Sequence, residues 1–220
     1  MTRKRVTLFC GHYGSGKTNI AINYALALSR TEPRMAIADL DIVNPYFRTK
    51  DSAQELREAK IRLICSEYAN TNLDIPALPQ DLYAITDDPG LCAVVDVGGD
   101  DRGALALGRI APALAKENNY EMLMVLNAYR PLTPDAASVL EVLREIEEAG
   151  HLRFTGLVNN SNLGRETTAE TVLKTAAFAA DCVSLTGLPL VMTTAEESVA
   201  AALRGKVENL FPLKLQKKIL

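Results

Sequence analysis

The chain has 220 residues, 48% of them hydrophobic, with a formal net charge of −3 at pH 7. That length and apolar content suit a single α/β domain over 1–220 with a substantial core. The slightly acidic balance gives no reason to expect nucleic-acid binding. No uninterrupted apolar stretch approaches the roughly 18 residues that a membrane span requires.

In chain order, apolar runs predict strands over 5–10, 35–40, 61–65, 91–97, 121–127, 153–159 and 188–193. Most are continuous rather than alternating, as expected for strands covered on both faces. Helical periodicity falls between them, over 17–30, 51–59, 102–118, 134–149 and 167–180. Thr133-Pro134-Asp135 is a good helix entry, and Gly150 is a stop. The 70–90 stretch, with Pro76, Pro79 and Pro89, reads as a loop around one short helix near 79–85. Arg3, Lys4 and Arg5 ahead of an apolar run resemble a signal peptide only superficially, because the run is too short. Alternating buried strands and helices predict a mainly parallel, doubly wound sheet with helices on both sides, whose ligands sit beyond the carboxyl ends of the strands.

The first strand runs into Gly11-His12-Tyr13-Gly14-Ser15-Gly16-Lys17-Thr18-Asn19, which fits G-x-x-x-x-G-K-[ST] at every fixed position. Glycines let successive backbone N–H groups converge on an anion, and the positive end of the following helix adds to the attraction. Lys17 is placed to reach the β- and γ-phosphates of a nucleoside triphosphate, and the Thr18 hydroxyl to ligate Mg²⁺. Residues Gly11 to Asn19 are therefore the expected phosphate-binding set.

Two further strand ends supply carboxylates. Strand 35–40 closes on Asp39-Leu40-Asp41, whose side chains, two apart, point the same way. One would orient the attacking water and the other would hold Mg²⁺ through its hydration shell. Strand 91–97 carries Asp96 followed by Val97-Gly98-Gly99, an acidic partner for Mg²⁺ and a hinge-like glycine pair. Asp100 and Asp101 read as caps of the helix beginning near Arg102. Lys17, Asp39 and Asp41 are thus the catalytic candidates, and Thr18, Asp39 and Asp96 the metal candidates.

Gly11–Thr18, the Asp39-x-Asp41 pair, and Asp96 followed by glycines resemble the MinD/ParA/nitrogenase-iron-protein group of phosphate-loop ATPases, which also includes CobQ/CobB-like proteins. A further parallel is Gly156-Leu157-Val158-Asn159-Asn160-Ser161, where the group places an Asn against the adenine edge; Asn160 is the better match and Asn159 its competitor. The resemblance implies a three-layer fold, ATP/ADP and Mg²⁺ as ligands, a homodimer as one working arrangement, and hydrolysis that switches affinity for a protein client. One position departs from the group: where a second lysine follows the first loop glycine, this chain has His12. Arg48 and Arg102 are candidates for the missing charge. No N-K-x-D or T-K-x-D occurs, although Asn127-Ala128-Tyr129-Arg130 stands at a suitable strand end, so ATP is expected over GTP.

A small-molecule phosphotransferase or ligase resembling dethiobiotin synthetase is the competing expectation, with Tyr46, Arg48, Glu67 and Tyr68 lining an acceptor pocket. A third is an ATP-sensing module of slow turnover. The isolated cysteines Cys10, Cys65, Cys92 and Cys182 form no C-x-x-C pair and read as small hydrophobes of a reduced, cytoplasmic protein. The basic, apolar tail from Phe211 to Leu220 is interrupted by Pro212 and is expected to pack on the domain rather than bind a membrane.

Overall fold

The computed structural model describes residues 3–41, 52–65, 80–99, 103 and 106–215. Among these residues, eight parallel strands make one sheet: β1 (Val6–Cys10), β2 (Met35–Leu40), β3 (Ile61–Ile64), β4 (Cys92–Val97), β5 (Tyr120–Leu126), β6 (Gly156–Asn159), β7 (Leu190–Glu196) and β8 (Leu210–Leu213). Their order is β3-β2-β4-β1-β5-β6-β7-β8. From central β1 the chain goes out to β2 and edge strand β3, returns to place β4 between β2 and β1, and then builds outward on the other side through β5 to β8.

Helices α1 (Lys17–Leu28), α2 (Ala53–Glu58), α3 (Ala84–Asp87), α4 (Ala111–Glu117), α5 (Ala136–Gly150), α6 (Ala169–Leu173), α7 (Ala176–Thr186) and α8 (Glu197–Leu203) connect the strands. Alternation along each strand divides the core between two faces. Val6, Leu8, Ala93 and Val95 pack with residues of α3, α4, α5 and α7, while Phe9, Ile37 and Val94 pack with α1 and α2. This is the expected doubly wound, three-layer architecture. No helix among the described residues is long and apolar enough to cross a membrane.

Local chemistry explains where the elements differ from the expected ranges. The helix expected over 102–118 gives way to turn at 108–110, and α4 begins anew with Pro112 in its first turn, where a missing N–H costs nothing. The helix expected over 167–180 breaks before α7 at Thr175, whose hydroxyl bonds the Val172 carbonyl at 2.7 Å. α7 then runs on to Thr186 and closes on left-handed Gly187. Asp135 caps α5 by accepting from the Ser138 N–H at 2.8 Å.

Residues 210–213, expected as part of a packed tail, form edge strand β8, where Pro212 is tolerated because one side of the strand needs no ladder donor. The tail is fastened by Asn23, which donates to the Lys214 carbonyl and accepts from its N–H, both at 2.9 Å.

Candidate functional site: a phosphate loop and its carboxylates

Strand parity carries the acidic side chains to the loop. Met35, Ile37 and Val94 face α1, so Asp39 and Asp96, two residues further along the same strands, emerge on the α1 side as well. The two aspartates are register partners on β2 and β4, strands about 4.8 Å apart. β1 lies on the other side of β4 and delivers the loop beside them.

The loop itself depends on glycine. Gly11, Gly14 and Gly16 have φ of +147°, +77° and +92°. A Cβ on Gly11 would lie 2.6 Å from the Val125 carbonyl oxygen, so the loop lies flush against β5. A Cβ on Gly99 would fall on the Gly11 backbone and 2.9 Å from His12 Cα. The Gly98-Gly99 segment after β4 is thus in close backbone contact with the phosphate loop.

At the start of α1, Lys17 is 4% exposed and its Nζ stands 3.7 Å from Asp41 Oδ2. Asp41 donates its N–H to Asp39 Oδ1 at 3.0 Å. Asp96 is fully buried, and among the described residues both its carboxylate oxygens lack a hydrogen-bond partner, as does Ser15 Oγ. Burial and then the charge of Asp39 push the Asp96 carboxyl up to about 8; Lys17 and the Thr18 hydroxyl pull the other way, and Asp41 adds to the rise. A buried, unpartnered carboxylate costs stability unless a partner arrives.

These groups fit Mg²⁺. It takes hard oxygen ligands and is commonly held by one or two carboxylates together with substrate phosphates. Asp96, Asp39 and the Thr18 hydroxyl offer that donor set. Among the described residues no group of three or more His, Cys, Asp or Glu forms a self-sufficient metal cage. Cys10, one residue before the loop, is buried in a way that pushes its thiol up and keeps it neutral.

The structure separates the two asparagines at the end of β6. Asn160 faces the loop: its Nδ2 donates to the Ser15 carbonyl at 2.6 Å, and its Oδ1 accepts from Thr194 Oγ1 at 2.5 Å. Asn159 turns the other way and donates to Thr175 Oγ1 at 3.1 Å. His12 and Tyr13 stand at the rim, Tyr13 54% exposed, with His12 Nδ1 3.3 Å from the Tyr13 carbonyl oxygen. Arg48, Tyr46, Glu67, Tyr68, Asp100, Asp101 and Arg102 lie outside the described residues.

One side chain at this site stands in the sequence only within the stretch 127–130 and is given no role there. Arg130, in the loop after β5, donates its Nε–H to the Gly14 carbonyl at 2.8 Å. The two residues are far apart in sequence. Only the strand order, which sets β5 beside β1, could have signalled the contact.

Solved structures share this fold. No family model matches the chain, and no curated protein does. The chain is similar to FtsY from Mycoplasma mycoides, with 16% identity over 89% of this chain and 61% of that one, at a TM-score of 0.56. It is similarly close to chloroplast FtsY from Physcomitrella patens, with 16% identity, 88% and 59% coverage, and a TM-score of 0.56. The signal recognition particle 54 kDa protein from Aeropyrum pernix K1, solved in complex with GDP, matches at 15% identity over 88% of this chain and 41% of that one, with a TM-score of 0.50. The chain spans about three fifths of the length of the FtsY proteins it matches. At these identities the likeness establishes the phosphate-loop α/β fold.

Proposed function

We propose that this protein binds a nucleoside triphosphate with Mg²⁺, ATP in preference, and hydrolyses it to switch its affinity for a protein partner. One observation carries the reading: Lys17, Thr18, Asp39, Asp41 and Asp96 converge from two adjacent strands, β2 and β4, and the α1 terminus around a loop whose three glycines have positive φ. In this reading the residues from Gly11 to Asn19 wrap the phosphates, with α1 presenting its positive end.

Lys17 leaves its contact with Asp41 for the β- and γ-phosphates. Asp41, released from the ammonium, orients the water for in-line attack. Thr18, Asp39 and Asp96 would hold the metal, Asp39 through hydration water and Asp96 through a buried carboxyl that has no hydrogen-bond partner among the described residues. When bound, Mg²⁺ neutralises charge developing on the phosphoryl oxygens. Gly98-Gly99, packed on Gly11, transmits occupancy of the loop to the segment after β4.

ATP is favoured because the residues after Asn160 are Ser161-Asn162-Leu163, with no carboxylate to read the guanine amine. The Asn160 amide retains one hydrogen and one acceptor lone pair beyond its internal bonds, enough to meet an adenine edge. Asn159 is the alternative base contact. A guanine nucleotide is the second reading, favoured by the GDP in the Aeropyrum pernix neighbour.

The test is nucleotide binding and phosphate release by wild type, Lys17→Ala and Asp41→Ala, with ATP and GTP in competition. Lys17→Ala is expected to lose binding, whereas Asp41→Ala keeps binding and loses hydrolysis. Normal hydrolysis by both variants would overturn the assignment. Transfer of phosphate to a metabolite, in place of free phosphate, would favour the phosphotransferase expectation.

A further inference from the structure

Arg130 is held in place from several directions. Its N–H donates to the Asn127 carbonyl at 3.0 Å, and its carbonyl accepts from the Thr133 N–H at 3.2 Å. Asn127 Oδ1 accepts from the N–H groups of Tyr129 at 3.1 Å and Asn162 at 3.3 Å, which ties this loop to the one after β6. The Tyr129 hydroxyl donates to the Thr171 carbonyl at 2.8 Å, anchoring the loop to α6. An exposed arginine on so constrained a turn retains less freedom than a solvated surface side chain.

Its head group lies on the phosphate loop. Besides the 2.8 Å bond to the Gly14 carbonyl, a Cβ on Gly14 would sit 3.3 Å from Arg130 Nε and 3.4 Å from Cζ. The guanidinium therefore covers the face of Gly14 where a side chain would otherwise stand. Among the described residues one of its five N–H groups is used, and no carboxylate pairs with Arg130. An always-charged, fork-shaped donor, anchored on this loop and with Nη groups that bond no described residue, suits a phosphate.

We propose that Arg130 is a further nucleotide-binding residue, contacting the phosphate chain from the rim of the loop and supplying a permanent positive charge there. The inference rests on the nucleotide reading above. Binding here uses Nη donors, while Nε continues to brace Gly14. Lysine at this position would keep the charge without the fixed fork.

Calorimetric titration of the full chain with AMP, ADP and ATP in the presence of Mg²⁺ tests this, using wild type, Arg130→Lys, Arg130→Met and Lys17→Ala. Arg130→Met is expected to weaken ATP by about tenfold, the scale of one charge-assisted bond, ADP less and AMP least. Its affinity should also depend less steeply on salt, and Arg130→Lys should recover part of the loss. Equal weakening of all three nucleotides, or none, would overturn the inference, because a mere brace on Gly14 or a contact to the base does not follow phosphate charge. If wild type binds no nucleotide, the functional reading falls and this inference falls with it. If wild type binds and only the Arg130 variants behave like wild type, the inference alone fails.

Discussion

Two ionisable side chains are buried on adjacent central strands, at opposite ends of the sheet, and they are treated differently. Arg5, just before β1, donates to the carbonyls of Ile85 at 3.0 Å and Leu91 at 2.7 Å and pairs with Glu117 through Nε and an Nη. Asp96, near the end of β4, is more deeply buried and has no hydrogen-bond partner. The amino-terminal end of the sheet is closed by its own residues, and that bond to Arg5 holds the Glu117 carboxyl below its ordinary value. At the carboxyl-terminal end the Asp96 carboxyl has no such partner among the described residues.

The largest effect is expected from breaking the satisfied end. Arg5→Met keeps the apolar stem but strands two carbonyls and Glu117, so it should cost about 3–5 kcal/mol in urea unfolding. Nucleotide affinity of the folded fraction should not change. An Arg5→Met protein as stable as wild type would undo the contrast.

The opposite sign is expected at the other end. Asp96→Asn removes a carboxyl that burial disfavours as an anion, and should stabilise the ligand-free protein at pH 7. The folded carboxyl titrates at about 8, above its ordinary 3.8, so the folded state holds the extra proton between those values. Wild-type stability should therefore fall as pH rises from about 4 through 8, and Asp96→Asn should flatten that slope. The same variant should lose the thermal stabilisation given by Mg²⁺ with nucleotide. A destabilised Asp96→Asn would mean that the carboxylate has a partner within the fold.

The contrast also separates what sequence could reveal from what it could not. The loop from Gly11 to Thr18 is local, so its strand, turn and helix could be read directly, and parity along β2 and β4 follows from the same runs. β8 and α8 escaped because a four-residue edge strand with Pro212 and a short Ala-rich helix carry little periodicity. Arg130 and the partners of Asn160 depend on strand order, which brings residues distant in the chain onto one loop and leaves no trace in spacing. The resemblance in the nucleotide site pointed to the right fold, while the choice of base was argued only from an absent motif.

The smallest effect is expected at the two asparagines ending β6, where the contrast recurs within one dipeptide. Asn159 bonds Thr175 on the side away from the loop, whereas Asn160 links the Ser15 carbonyl to Thr194 on β7. Each substitution to Ala removes buried bonds and should cost about 1–2 kcal/mol of stability. Only Asn160→Ala should also weaken nucleotide binding, because a Cβ on Gly16 would collide with the Asn160 amide, so that amide shapes the loop as well as flanking it. Denaturation and nucleotide titration of both variants make the comparison. Equal affinities would reduce Asn160 to a structural tie, while a loss confined to Asn159→Ala would move the base contact to the other face of β6.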